Sequence, residues 1–118
     1  MITCISIDDD PLFLKILESY LEEIKGIELL GSYNNPVDGI MQVVKRKPNI
    51  LFIDWDMPNL DGFETLATLD KKPKVIMISA NVNQPVRSKI IEIDSYLRKV
   101  KFDKEVLEAA IQRVMRTS

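Results

Sequence analysis

Short apolar runs alternate along this chain with longer segments in which apolar positions recur every three or four residues. The runs lie at Ile2 to Ile7, Ile27 to Leu30, Ile50 to Ile53, Val75 to Ile78 and Tyr96-Leu97. They are rich in Ile and Val, and most lack the strict alternation of a half-exposed strand, so they predict strands buried on both faces. Between them, Phe13, Ile16, Leu17, Tyr20, Leu21 and Ile24 form one helical stripe, and Val106, Leu107, Ala110, Ile111, Val114 and Met115 form another. Asp10 before Pro11 reads as an N-cap with proline at the first helical position, and Gly26 as the stop. Asn35-Pro36 opens a second helix carrying Val37, Ile40, Met41 and Val44, closed by Pro48. Gly62 to Leu69 makes a third. Pro85, near the first turn of a fourth, leaves Val86, Ile90 and Ile91 to support a short helix.

Strand and helix thus alternate, which predicts an α/β fold: a five-stranded parallel sheet with helices on both faces, joined by right-handed crossovers. Ligands of such sheets bind beyond the carboxyl ends of the strands, where the strand order reverses. Asp8 and Asp9 follow the first strand, Asp54 and Asp56 end and follow the third, Ser79 ends the fourth and Lys99 follows the fifth. Taken singly, each has a plain structural reading, the Asp8-Asp9-Asp10 run as a cap and solvated turn above all. Their conjunction at successive ends of one sheet edge points to chemistry.

Composition narrows that chemistry. The chain has 118 residues, 46% hydrophobic and 29% charged, with no repeat or low-complexity linker, and reads as one domain over 1–118. Histidine is absent, so an imidazole base, His-ligated zinc and Ser-His-Asp catalysis are excluded within the chain. The lone Cys4 forms no internal disulfide and reads as a buried thiol of a reducing compartment. Nothing resembles a signal peptide, and no stretch reaches the roughly 20 apolar residues of a membrane span, so the expectation is a cytoplasmic protein without membrane contact. A net charge of −2, with both signs spread along the chain, argues against direct nucleic-acid binding. Clustered carboxylates repel one another unless a cation is present, and an oxygen-only set at a solvent-exposed edge suits Mg2+. A carboxylate beside Mg2+ and an ammonium can attack a phosphoryl group, which predicts an aspartyl phosphate.

Over nearly its whole length the chain resembles the receiver domain of two-component response regulators. The resemblance rests on Ile53-Asp54-Trp55-Asp56-Met57-Pro58-Asn59-Leu60-Asp61-Gly62, similar to the phosphoacceptor loop, and on Ile7-Asp8-Asp9-Asp10-Pro11, Ser79-Ala80 and Tyr96-Leu97-Arg98-Lys99. The stretch from Ile27 to Pro36 looks most like receivers joined to LytTR-type DNA-binding domains. The resemblance implies the (βα)5 flavodoxin-like fold and Asp54 as phosphoacceptor. It gives Asp9 a direct carboxylate to Mg2+, Asp56 a ligand through its backbone carbonyl, and Asp8 a contact through water. Ser79 and Lys99 would hold phosphoryl oxygens, Ala80 would leave room for the phosphate, and Tyr96 would be the switch residue. A sensor histidine kinase or phosphotransfer protein would donate the group. An output domain or partner protein would read the face of helix four, strand five and helix five, and phosphorylation would drive homodimerisation. Such a protein is a phosphoacceptor switch that promotes its own phosphorylation and dephosphorylation rather than a turnover enzyme. It would be a stand-alone receiver or a fragment of a longer regulator.

The chain departs from the family pattern in three places. Val100 stands where proline usually follows the lysine, so a trans bond and a reshaped loop are expected, with Lys101 as a second candidate ammonium. The segment from Asn81 to Ser95 is short for the family. Arg98 and Lys101 add positive charge beside Lys99. Two other readings compete: a receiver-like interaction module that is never phosphorylated, and a haloacid-dehalogenase-type phosphohydrolase, whose nucleophile motif Asp54-Trp55-Asp56 also fits.

Overall fold

The computed structural model describes residues 1–54, 69–80 and 93–116. The elements are β1 (Ile2–Ile7), α1 (Pro11–Glu23), β2 (Ile27–Tyr33), α2 (Pro36–Arg46), β3 (Ile50–Ile53), β4 (Lys74–Ser79), β5 (Ser95–Arg98), a 3-10 turn (Lys99–Lys101) and a C-terminal helix (Lys104–Arg116). All strand pairs are parallel, in the order β2-β1-β3-β4-β5. The predicted third helix and the short fourth helix around Pro85 lie outside the described residues, as does the loop that follows Asp54.

Alternate residues of the central strands feed two cores. Cys4, Ile50, Phe52, Ile76, Ile78 and Leu97 pack with Phe13, Leu17 and Leu21 of α1 and with Leu107, Ala110, Ile111 and Val114 of the C-terminal helix. Ile5, Ile7, Leu51, Ile53, Val75 and Met77 pack on the other side with Ile40 and Val43 of α2. The expected sheet with helices on both faces is therefore present.

The termini of α1 and α2 follow the signals in the sequence. Asp10 Oδ1 accepts from the Leu12 and Phe13 amides at 3.0 and 3.4 Å, and Asn35 Oδ1 accepts from Val37 and Asp38 at 2.9 and 3.4 Å. Proline follows each cap, where its missing N–H removes a donor the helix could not use. Past the end of α1, Gly26 takes a φ of 86°, a conformation that favours glycine. Gly39 of α2 is needed for another reason, since a Cβ there would sit 2.6 Å from two carbons of the Ile7 side chain. Its absence lets α2 close onto the sheet.

Two expectations needed correction. Ile16 is 41% exposed, and Leu14 is buried in its place. At about 100° per residue, the buried positions Phe13, Leu14, Leu17, Leu21 and Ile24 span an arc of about 100°, and Ile16 falls outside it. Strand β2 runs three residues past Leu30. Cys4 pairs with Leu29 but Ile5 with Gly31, so Leu30 is an extra residue in the ladder. This irregularity reverses the alternation of faces, which is why the apolar pattern stops at Leu30 while pairing continues to Tyr33.

The edge opposite the carboxyl ends is closed by Asn49. Its Oδ1 accepts from the Thr3 amide at 2.8 Å and the Thr3 hydroxyl at 3.1 Å, and its carbonyl accepts from the Lys74 amide at 2.8 Å.

Candidate functional site

Register brings the candidate side chains together. Ile7 pairs with Ile53, so Asp8 and Asp54 leave neighbouring strands at the same level, tied by an Asp54 amide to Ile7 carbonyl bond of 3.1 Å. Asp8 also donates its amide to the Tyr33 carbonyl at 3.0 Å, joining the ends of β1 and β2. Ser79 ends β4 opposite Arg98, one residue before Lys99. The reversal of strand order lies at β1, between β2 and β3, where the acidic residues emerge.

Lys99 Nζ lies 2.9 Å from Asp8 Oδ2 and 3.1 Å from Asp54 Oδ2, so one ammonium bridges two carboxylates. The carboxylates are buried, at 3% exposure for Asp8 and 4% for Asp54, while Asp9 is exposed at the rim. Asp8 Oδ1 accepts from the Asp10 amide at 2.9 Å. Burial pushes the Asp8 carboxyl up to about 6. The hydrogen bonds from Lys99 and Asp10 act downward without cancelling burial, and the charge of Asp54 adds to the rise. Burial alone would lower Lys99, but its hydrogen bonds and charge interactions with Asp8 and Asp54 outweigh that and hold it above the usual lysine range.

The peptide bond before Val100 is trans, as the Val100 sequence predicts, and the loop is a 3-10 turn. Lys99, rather than the exposed Lys101, supplies the ammonium of the site. Ser79 is buried at the strand end, Ala80 is exposed beside it, and Tyr96 is 40% exposed. Asp56 lies outside the described residues. Phe13 was read from the sequence only as core. Its ring centroid in fact lies 4.6 Å from Lys99 Nζ, a proximity with no local signal, because a single aromatic in an apolar stripe looks like any other core residue.

Carboxylate oxygens of Asp8, Asp9 and Asp54 all lie within 4.8 Å of one another. The donor set is entirely hard oxygen, with no nitrogen or sulfur ligand among the described residues, and so fits Mg2+ rather than zinc or copper. Among the described residues, no helix is long and apolar enough to cross a membrane.

The response regulator receiver domain family matches residues 4–112 of the chain. Over 82 residues, 68% of this chain and 34% of the relative, the sequence is 37% identical to the transcriptional regulatory protein BtsR of Escherichia coli K12. It is 30% identical over 118 residues to an uncharacterized response regulatory protein of Vibrio cholerae, covering 98% of this chain and 49% of that one. The chain therefore spans between about a third and a half of the length of these relatives. Its fold is similar to the response regulatory domain of mrkE from Klebsiella pneumoniae, with a TM-score of 0.82 at 19% identity over 98% of this chain and 96% of that one. It is also similar to the response regulator domain of CheB from Thermotoga maritima, with a TM-score of 0.75 at 20% identity over 98% and 97%.

Proposed function

This chain belongs to the response regulator receiver domain family of two-component signalling, and from that membership we propose that Asp54 accepts a phosphoryl group in a Mg2+-dependent reaction. The observation that carries the reading is the bridging of Asp54 and Asp8 by the Lys99 ammonium at the strand-order reversal. Receiver domains bind Mg2+ at an acidic pocket. Here Asp9 and Asp54 would hold the ion directly, with Asp8 contributing through water and Asp56 through its backbone carbonyl. When bound, Mg2+ would offset the charge on the transferred oxygens.

The rest of the reaction falls to the chain's own groups. An oxygen of the Asp54 carboxylate forms a bond to phosphorus as the donor's phosphorus–nitrogen bond breaks, giving an acyl phosphate. Lys99 Nζ, already at the Asp54 carboxylate, moves to a phosphoryl oxygen and the Ser79 hydroxyl donates to another. Ala80 contributes no bulk beside Ser79. Movement of Ser79 opens space for Tyr96 to turn inward, which alters the β5 surface that an output domain, a partner protein or a second copy reads. A sensor histidine kinase or phosphotransfer protein in the cytoplasm is the donor. The product is the protein's own modified state, so the chain acts as a switch rather than a turnover enzyme. Family membership displaces the phosphohydrolase alternative.

Intact mass after incubation with Mg2+ and acetyl phosphate tests the reading. One added phosphoryl group, about 80 Da and labile in base, should form on the wild type and be lost in Asp54→Asn and without Mg2+. No addition with acetyl phosphate, together with BeF3- producing no change in partner binding, would favour the phosphate-independent module.

A further inference from the structure

The Phe13 ring takes no part in the reaction described above, yet it lies against the Lys99 ammonium. Two directions from Nζ are taken by Asp8 Oδ2 and Asp54 Oδ2, and the Phe13 ring, with its centroid 4.6 Å away, covers a further side. Phe13 is itself held in place: the Phe102 ring meets it at 5.1 Å and 55° and meets Tyr20 at 5.6 Å and 48°. Phe13 and Tyr20 lie about two turns apart on α1, so Phe102 is seated between them. Phe102 directly follows the 3-10 turn that begins at Lys99, and no residue of that turn is buried. The contact that clamps the Phe13 ring is therefore also the apolar anchor of the turn.

We propose that Phe13 is a positioning residue for the Lys99 ammonium in phosphoryl transfer, with Phe102 holding its ring; the proposal rests on Asp54 being the acceptor. A carboxylate in this place would compete for the metal and repel the incoming phosphoryl group. A neutral ring face attracts the ammonium without doing either. When an Asp54 oxygen bonds to phosphorus, Lys99 loses part of its carboxylate pairing, and the ring keeps the ammonium within reach of the phosphoryl oxygens.

The test follows acyl-phosphate formation from acetyl phosphate and Mg2+ in the wild type, Phe13→Leu, Phe13→Tyr, Lys99→Ala and the Phe13→Leu/Lys99→Ala double variant, each checked for cooperative unfolding. Phe13→Leu should slow the reaction about five- to tenfold and Phe13→Tyr should restore it. In the Lys99→Ala background, Phe13→Leu should have no further effect. The Lys99 ε-methylene protons should lose an upfield ring-current shift in Phe13→Leu. If that variant does not fold, Phe102→Leu, which leaves the ring present but unclamped, should slow the reaction and reduce the same shift. Equal slowing by Phe13→Leu with and without Lys99, or an unchanged Lys99 resonance, overturns the role of Phe13. A wild type that takes no phosphoryl group overturns the acceptor reading itself, which separates the two failures.

Discussion

Replacing Asp8 by Asn should make the protein more stable at pH 7.5 in the absence of Mg2+, because the wild-type carboxylate ionises in a buried place. Burial raises the Asp8 carboxyl from 3.8 to about 6 in the fold, so its ionised form costs folding stability at neutral pH, at most about 3 kcal/mol and less after solvent screening. The direction follows from proton counting. Between those two values the folded chain holds a proton that the unfolded chain has released. Stability therefore falls as pH rises through that window, and the whole loss is in place above it. The Asn amide oxygen still accepts from the Asp10 amide but weakens the pairing with Lys99, which keeps its 3.1 Å contact with Asp54. The net gain should be about 1–2 kcal/mol, roughly 4–8 °C in Tm for a chain of this length. Thermal unfolding of both proteins at pH 7.5 and 5.0, with and without Mg2+, is the assay. The gap should close at pH 5.0, where the wild-type carboxyl is protonated, and at pH 7.5 in saturating Mg2+, which stabilises the wild type by mass action. A variant that melts below the wild type at pH 7.5, or a gap independent of pH, would show that the Lys99 ion pair outweighs burial and would refute the reasoning.

Other outcomes follow from the same geometry. Protons compete with the metal at Asp8, so Mg2+ affinity, followed through the single tryptophan, should fall by up to about tenfold per pH unit below 6 and level off above it. Gly39→Ala should lower stability by about 1–2 kcal/mol in urea unfolding, because the clash with Ile7 exceeds the helix-propensity gain from alanine; an unchanged midpoint would mean that α2 slides freely on the sheet. Burial pushes the Cys4 thiol up to about 12, so iodoacetamide should label it only as fast as the protein unfolds. Labelling at the rate of a free thiol in native buffer would contradict that placement.

The legible parts of this fold were those written in local chemistry. Asp10-Pro11 and Asn35-Pro36 carry their helix starts in two adjacent residues, and the Ile-rich runs of β1 and β3 announce strands buried on both faces. The acidic edge was readable because each candidate ends a strand or directly follows one, so element order alone placed Asp8, Asp54, Ser79 and Lys99 at one end of the sheet. The extra residue at Leu30 was not readable, since a ladder irregularity depends on the partner strand. Neither was the exchange of Ile16 for Leu14, which turns on how α1 is rotated against its neighbours. The Phe13–Phe102–Tyr20 contact joins residues far apart in sequence that share no motif, and only packing reveals it.

The irregular pairing of β2 has a consequence for how copies of this protein meet in solution. Among the described residues β2 is an outermost strand, and an edge strand can be extended by another chain, which is a route to aggregation. An extra residue in the middle of the strand bends it and breaks the even spacing that an incoming ladder would need. The opposite edge, β5, is only four residues long and alternates exposed Tyr96 and Arg98 with buried neighbours. Among the described residues, one edge of the sheet is thus irregular and the other short and charged, so neither presents the long, even template that strand addition needs.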